Sequence, residues 1–360
     1  MSNRLDELIL HVTNRCNLRC KHCWVDAGGG RLEELETSDW REIVRKGSEL
    51  GVRAVKVTGG EPLIRNDVPD LLGYIRECGM TPVLETNGSL VTDDIACKIA
   101  KAQPLVVAVS LDSPDPEFHD WFRQSPGAHA AALRGVRALL SAGVSVQIVC
   151  SLCQQNVSAW REMVEMADAL GVNSIKLNPV MPFGRAMLQD GIQLLSVENI
   201  ISLHKEVVKY VKYAQIKVGV SYPIPLAFRG LDALRRAQPE CNICHRLGVL
   251  CDGKLSICGI GQTTPGLVLG QWGRTELEEA TAVLPSDEDL MRSLTGVCAL
   301  CIHRKLCLGF CRALAFAVSG NLGAPYFVCQ EAYRLGFFPT NRLAQGRAAA
   351  GDEAGPGNFR

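Results

Sequence analysis

The chain has 360 residues, of which 47% are hydrophobic and 21% are charged, and its 38 basic and 38 acidic residues leave a formal net charge of zero. This balance indicates no nucleic-acid partner, and the longest apolar stretches are too short to span a membrane. The acidic N-terminus is not a signal peptide, so we expect a cytoplasmic protein whose sixteen cysteines bind metal rather than form disulfides.

Six strands are predicted in the first half of the sequence, and helix-length segments separate them. They cover residues 8–12, 51–57, 79–85, 105–111, 143–149 and 171–177. Four of them begin at a glycine that is expected to end the preceding helix. This alternation predicts a parallel α/β sheet with helical crossovers, open or curled into a barrel. Functional residues in such sheets lie at the carboxyl ends of the strands.

Three cysteines follow the first strand with the spacing C-x3-C-x2-C, namely Cys16, Cys20 and Cys23. Three thiolates suit a 4Fe–4S cluster that keeps one iron open for another ligand. A zinc ion with His22 as the fourth ligand is the alternative. His22 adjoins Cys23, however, and neighbouring residues rarely both reach one tetrahedral metal. The spacing therefore favours the cluster.

This spacing, the aromatic Trp24 and the sequence VTGGEP (57–62) together resemble the radical S-adenosylmethionine (radical SAM) superfamily. The resemblance covers residues 6 to 225 and implies a partial (β/α)6 barrel, similar to a TIM barrel. In this family S-adenosylmethionine binds the open iron. Its reductive cleavage yields a 5′-deoxyadenosyl radical that abstracts a substrate hydrogen, so the resemblance implies an oxidoreductase.

The resemblance also assigns residues to the S-adenosylmethionine site. They follow strands two to four, with one arginine further along: Gly59, Gly60, Glu61, Pro62, Thr86, Asn87, Ser110, Asp112 and Arg123. Glu61 is expected to accept a hydrogen bond from the methionyl ammonium. A turn, a helix cap or a surface ion pair is the alternative role for these residues, and for Arg123 and Arg185 both roles stay open.

The sequence between residues 236 and 336 holds nine cysteines and resembles the SPASM extension of the same family. This resemblance implies a small cysteine-rich domain with a β-hairpin and short helices, which carries two auxiliary 4Fe–4S clusters. By the family pattern, cluster II is held by Cys298, Cys301, Cys307 and Cys329. Cluster I is assigned Cys241, Cys244, Cys258 and Cys311. A zinc ribbon is the alternative.

Cys251 is left out of these sets on a geometric argument. Residues 247–258 predict a hairpin with Asp252 and Gly253 as its two-residue turn. Cys251 would then lie beside the turn, about 13 Å along the strand from Cys258.

The remaining regions complete the predicted organisation. Cys78 and Cys97 are interpreted as core residues of helices. Cys150 and Cys153 lie at the end of the fifth strand, near the expected pocket, either as core residues or as donors of a hydrogen atom or thiol. A helix predicted over 197–213 ends the first domain, residues 1–225. The tail, 344–360, is predicted to be disordered.

The leading hypothesis is oxidative maturation of a ribosomally made peptide. The alternative is a small-molecule radical enzyme, such as a decarboxylase, epimerase or dehydrogenase that acts on a sugar, nucleoside or tetrapyrrole. A non-catalytic electron carrier is disfavoured, because it needs neither an open iron nor the GGEP sequence. The first strand begins near the start of the sequence, so we expect a separate peptide-recognition protein or a small substrate. A flavodoxin or ferredoxin is the expected reductant.

Overall fold

The computed structural model describes residues 4–29, 32–188, 191–230 and 241–344. The chain divides into two units. The first comprises Met1–Pro223 and Ile243–Leu284, and the second comprises Ile224–Asn242 and Pro285–Arg360. The predicted disordered tail, apart from Ala344, lies outside the described residues.

One ten-stranded sheet forms the centre of the first unit. Its strands are β1 Glu7–His11, β2 Ala54–Thr58, β3 Thr81–Thr86, β4 Val106–Ser110, β5 Val146–Leu152, β6 Ser174–Pro179, β7 Gly219–Ser221, β8 Arg246–Val249, β9 Lys254–Ser256 and β10 Val268–Gln271. They lie in the order β10-β9-β8-β1-β2-β3-β4-β5-β6-β7. The six predicted strands are confirmed as β1 to β6, which all pair in parallel. The α/β fold class is confirmed, and the sheet is not closed.

Helices cross over between the parallel strands. They are α1 Thr37–Glu49, α2 Val68–Glu77, α3 Asp93–Lys101, α4 Pro116–Arg123, α5 Ala128–Ser141, α6 Trp160–Leu170 and α7 Val197–Tyr213. The prediction of a helix over 197–213 is therefore confirmed. The glycines predicted to end helices, Gly51, Gly79, Gly143 and Gly171, have φ of +79°, +81°, +77° and +76°. Glycine adopts this left-handed conformation without steric cost.

Apolar helix faces pack on the sheet and form the core. In α1 the side chains of Trp40, Ile43 and Val44 are fully buried, as their helical spacing predicts. Among the described helices, none is long and apolar enough to cross a membrane.

The segment 243–284 joins the first unit because β8 pairs in parallel with β1. The sequence predicts instead that this segment belongs to the cysteine-rich domain over residues 236–336. The predicted hairpin is present as β8 and β9, but its register differs by one residue. Gly248 pairs with Ser256, and the Leu250 N–H donates to the Lys254 carbonyl over 2.8 Å.

The hairpin turn therefore contains three residues, with Cys251 inside the turn instead of beside it. Gly253 has φ of +82°, and a left-handed glycine at the last position of a three-residue turn allows this register. Cys251 is buried, and its carbonyl accepts a hydrogen bond of 2.7 Å from the Leu35 N–H.

The remaining helices are short. The first unit contains Leu277–Ala282, and the second contains Asp287–Ser293, Gly296–Leu300, Arg304–Cys307, Arg312–Ser319 and Phe327–Arg334. Single 3-10 turns lie at Pro62–Ile64, Val157–Ala159, Gly184–Met187, Leu226–Phe228, Ile243–His245, Gly259–Gln262, Pro265–Leu267 and Thr340–Arg342.

Candidate active site

The inner face of the sheet lines a cavity of about 500 Å³, a volume typical of small-molecule sites. Every second residue of five adjacent strands faces it, as the alternation of side chains along a strand requires. These residues are Lys56 and Thr58 on β2, Val83 and Glu85 on β3, Val106, Ala108 and Ser110 on β4, Gln147, Val149 and Ser151 on β5, and Lys176 and Asn178 on β6.

The loop after β1 brings all three predicted cluster cysteines to this cavity. The Leu18 N–H donates to Cys16 Sγ over 3.4 Å, and the Ala27 N–H donates to Cys23 Sγ over the same distance. Burial raises the pKa of Cys16 to about 12 and also raises the pKa of Cys20. The Cys16 and Cys20 thiols are therefore neutral until a metal displaces their protons.

Arg123 connects the thiol of Cys20 to a buried carboxylate. Its Nη1 lies 3.5 Å from Cys20 Sγ, while Nε and Nη2 donate to the two carboxylate oxygens of Asp112 over 2.6 and 3.0 Å. Burial raises the pKa of Asp112, but the Arg123 guanidinium together with His22 and His119 outweighs burial and lowers the pKa to about 2. Asp112 is thus charged, and it fixes the guanidinium beside Cys20.

Gly59 and Gly60 let the cysteine loop pass close to the end of β2. The Gly60 N–H donates to the Thr13 carbonyl over 2.7 Å, and the Glu61 N–H donates to the Arg15 carbonyl over 2.9 Å. A Cβ at Gly59 would lie 2.5 Å from the Thr13 oxygen, and one at Gly60 would lie 2.2 Å from the Arg15 oxygen. Both positions therefore require glycine.

Glu61 is buried and points into the protein. Its carboxylate accepts hydrogen bonds from Thr86 Oγ1 over 2.7 Å, from the Asn87 N–H over 2.7 Å and from the Leu63 N–H over 3.1 Å. Burial raises its pKa. These contacts make Glu61 a positioning residue for the end of β3. Its predicted hydrogen bond to the methionyl ammonium stays a prediction.

Six of the nine residues assigned to the cofactor site line this one cavity: Gly59, Gly60, Thr86, Asn87, Ser110 and Arg123. The other three, Glu61, Pro62 and Asp112, lie behind its wall. Pro62 begins the 3-10 turn Pro62–Ile64. The carboxyl ends of β2 to β4 thus meet the cysteine loop at one cavity, the predicted position of the cofactor site.

Arg185 is buried and contacts the cysteine loop. Its Nε donates to the Cys20 carbonyl over 2.9 Å, and Nη1 donates to the Ala27 carbonyl over 2.7 Å and to Asp26 Oδ1 over 2.9 Å. These bonds hold the backbone on both sides of Cys23. Of the two roles left open for Arg185, the structure shows an ion pair, with Asp26, and a role in cofactor binding stays a prediction.

His22 also lies in the cavity wall, where its ring stacks on Phe122 with centroids 4.0 Å apart. Burial lowers its pKa to about 3. Within the ranges that the structure describes, no three cysteine, histidine or carboxylate side chains are arranged to hold a single metal ion. A four-iron cluster is larger than one ion and binds thiolates around a cavity, which is the arrangement of the three cysteines.

Four cysteines outside the predicted cluster motifs differ in burial. Cys150 is buried and its thiol donates to the Asp112 carbonyl over 3.4 Å, and Cys153 packs against Phe122. Neither lines the cavity. The interpretation of Cys97 as a core residue is wrong, because it is exposed on α3. Cys78, directly after α2, is only half-buried.

Sequence reasoning missed the charged residues on the inner face of the sheet. Lys56 Nζ forms an ion pair of 3.0 Å with Glu85 Oε1, and Lys176 faces the same cavity. Parallel strands are normally apolar on both faces. Charged residues at alternate positions of the strands were therefore the sequence signal that could have predicted a polar cavity on this face of the sheet.

Four cysteines of the second unit surround a much smaller cavity, of about 20 Å³. They are Cys298, Cys301, Cys307 and Cys329, the predicted ligands of cluster II. Burial raises the pKa of all four thiols, that of Cys301 to about 11. The four cysteines predicted for cluster I are divided between the units, and that ligand set stays a prediction.

Comparison with known proteins identifies the family. Residues 10–177 match the family model described as the Radical SAM superfamily. This part of the chain, which holds the cysteine loop and strands β2 to β6, is a radical SAM domain. Such a domain implies a 4Fe–4S cluster and S-adenosylmethionine as cofactors.

Radical SAM relatives align over most of the chain. The AdoMet-dependent heme synthase of Oleidesulfovibrio alaskensis is 28% identical over 345 residues, covering 88% of this chain and 85% of that protein. The enzyme of the same name from Methanosarcina barkeri is 29% identical over 339 residues, covering 89% and 95%. The PqqA peptide cyclase of Granulibacter bethesdensis is 24% identical over 324 residues, covering 88% and 84%.

Solved structures share the radical SAM fold. SuiB of Streptococcus suis, bound to S-adenosylmethionine, has a TM-score of 0.75 at 16% identity, covering 91% of this chain and 78% of that one. Native anSMEcpe with bound AdoMet has a TM-score of 0.72 at 17% identity, covering 92% and 95%. At these identities the likeness concerns the fold alone.

Proposed function

We propose that this radical SAM enzyme modifies a tetrapyrrole. The observation that carries the proposal is the similarity to two heme synthases, which are 28% and 29% identical over 345 and 339 residues, against 24% for the peptide cyclase. The two heme-synthase alignments reach well beyond the family domain at 10–177, so the likeness includes sequence outside the part that all members share. This proposal favours the small-molecule alternative of the sequence analysis over peptide maturation.

The cysteine loop would hold the cluster through Cys16, Cys20 and Cys23. Two features support the fit: all three thiols line one cavity, and N–H donors already point at their sulfur atoms. Such donors stabilise thiolate charge and tune a cluster. When bound, the cluster and S-adenosylmethionine supply hydrogen abstraction.

The residues at the strand ends would bind S-adenosylmethionine. Gly59 and Gly60 give it backbone access, and Thr86, Asn87 and Ser110 offer polar atoms along β3 and β4. Glu61 would act through Thr86 and Asn87, whose positions it fixes. The deeper part of the cavity, from β2 to β6, would take the substrate and exclude water from it.

The second unit would carry an auxiliary cluster on Cys298, Cys301, Cys307 and Cys329. Four buried thiols around one small cavity give a closed set, with no position left for substrate. Such a cluster could accept the electron that remains after hydrogen abstraction, which suits an oxidation. A flavodoxin or ferredoxin would supply the reducing electron.

The test is an anaerobic turnover assay with reconstituted protein, dithionite and S-adenosylmethionine. Iron coproporphyrin III, a tetrapyrrole with four propionate groups, is the test substrate. We expect it to increase release of 5′-deoxyadenosine and to change mass itself, both measured by liquid chromatography–mass spectrometry. Release that iron coproporphyrin does not increase, with its mass unchanged, would contradict the proposal.

Peptide maturation is the second candidate, favoured by the 24% identity to a PqqA peptide cyclase. The same assay, run with a short peptide encoded beside the gene, separates the candidates. A mass change in the peptide and none in the tetrapyrrole would favour this one.

A further inference from the structure

One cation in the cavity wall has no carboxylate within ion-pair distance. Lys176 lies on β6 and faces the cavity, and among the described residues it makes no ion pair or hydrogen bond. Its side chain is half-buried, so the ammonium group is available to an anion that enters the cavity.

The other cations of the same wall are already paired. Lys56 pairs with Glu85 over 3.0 Å, Arg123 with Asp112 over 2.6 Å and Arg185 with Asp26 over 2.9 Å. Glu85 pairs with Lys56 and also interacts electrostatically with Lys176, so one carboxylate faces two ammonium groups. The cavity therefore holds an excess positive charge on the β6 side.

Two neutral polar side chains lie next to this charge. Asn178 is two residues further along the same face of β6, and Ser151 lies opposite it on β5 in the register of the sheet. Both line the cavity, and neither side chain forms a hydrogen bond with the residues that the structure describes. An amide N–H₂ and a hydroxyl beside an ammonium offer the donors that a carboxylate accepts.

This group of residues lies further along the sheet than the cysteine loop. The loop follows β1 and the glycines follow β2, whereas Ser151 and Lys176 lie on β5 and β6. The two regions adjoin at Asp112, whose carboxylate accepts a hydrogen bond of 3.0 Å from the Ser151 N–H. A substrate that contacts both walls would have an anionic group on one side and its reacting carbon near the cofactor on the other.

We propose that Lys176, with Asn178 and Ser151, binds a carboxylate of the substrate. The inference rests on the proposed function and makes it more specific. A tetrapyrrole with propionate groups would be anchored through one propionate on β5 and β6. Lys176 would then be a specificity-determining residue that selects carboxylate-bearing tetrapyrroles over their neutral esters.

The test measures binding of metal-free coproporphyrin III to reconstituted protein by titration of the porphyrin absorbance band. Replacing a charged partner of a carboxylate should weaken binding roughly tenfold or more. We therefore expect Lys176→Met to weaken binding by this factor and Lys176→Arg to retain most of it. Lys101→Met, at the exposed end of α3, makes the same charge change outside the cavity and should bind as the wild type does.

The tetramethyl ester of coproporphyrin tests the charge without any mutation. The wild type should bind the ester more weakly than the acid, and Lys176→Met should abolish that preference. If Lys176→Met binds the acid as tightly as the wild type, the inference is wrong and the proposed function stands. If the wild type binds neither porphyrin, both are wrong. Should Lys176→Met fail to fold or to bind iron, equal wild-type affinity for acid and ester would still overturn the inference.

Discussion

The two cysteine sites of the molecule differ in how the chain builds them. In the first unit, three cysteines come from one loop of eight residues and line a cavity of about 500 Å³. In the second unit, four cysteines come from segments more than twenty residues apart and surround about 20 Å³. The first site has fewer thiols and far more space.

This difference distinguishes an open site from a closed one. A metal centre that takes part in a reaction keeps a coordination position free, whereas one with a full set of protein ligands is structural or transfers electrons. At the open site the surrounding charges, Arg123 and Arg185, are tied to Asp112 and Asp26. In the proposed function, S-adenosylmethionine takes the position that the three cysteines leave open.

The largest expected effect comes from removing the open site. Replacing Cys16, Cys20 and Cys23 together by Ala should remove about four irons per chain and abolish release of 5′-deoxyadenosine. Iron analysis and chromatography measure the two losses. As the control, Cys97→Ala removes an exposed cysteine and should change neither. Continued release by the triple variant would exclude the loop as the cluster site.

Cys329→Ser should instead affect the closed site. It removes one of four buried thiols, so we expect the loss of about four irons with slow 5′-deoxyadenosine release preserved. Mössbauer spectra and iron counts test this, and the triple variant above is the matched comparison. If Cys329→Ser keeps all its iron, the four thiols do not hold a cluster.

Asp112→Asn should destabilise the support of the open site. The change leaves the buried Arg123 guanidinium without its bidentate partner, which typically costs about 3–5 kcal/mol of unfolding free energy. Urea unfolding followed by circular dichroism measures the loss. Asp26→Asn, which removes the half-exposed partner of Arg185, should cost much less, and equal costs would argue against a special role for the Asp112 pair.

The smallest expected effect is an acid sensitivity behind the cysteine loop. His11 packs edge-on against Trp24, and burial lowers its pKa to about 4. Between pH 6.5 and 4 the unfolded chain binds the proton and the folded chain does not, so stability falls as the pH falls. His11 should contribute a loss of about 1 kcal/mol between pH 7.5 and 5.5. Urea unfolding of the wild type at pH 7.5 and pH 5.5 measures this loss of stability. The variant His11→Gln lacks the titrating imidazole and should not show it.

The sequence predicts the parts of the fold that have local signals. Strand and helix alternation predicts β1 to β6, and the helix predicted over 197–213 is α7. The cysteine spacing predicts the position of the open site. The pairing of β8 with β1 leaves no such signal, because it joins residues far apart in sequence.

Other features depend on packing that a sequence pattern does not contain. The glycine at 253 is compatible with a two-residue or a three-residue turn, so the register around Cys251 was not determined. The GGEP sequence predicts a ligand site. It does not predict that the Glu61 carboxylate is buried against Thr86 and Asn87, because that contact depends on where the ends of β2 and β3 lie relative to each other. The sequence alone does not show that Lys176 faces the cavity, because this depends on which residues surround it in the folded sheet.

The pairing of β1 with both β2 and β8 has a consequence for synthesis on the ribosome. Glu7 pairs with Arg246 as well as with Ala54, so one edge of β1 has no partner until the chain has grown past residue 249. A strand edge left unpaired is a template for aggregation, and long-range pairing of this kind slows folding. A fragment that stops at residue 225 would keep the cysteine loop and the GGEP sequence but expose that edge. Nascent chains of this length should therefore depend on chaperones until the hairpin of β8 and β9 emerges.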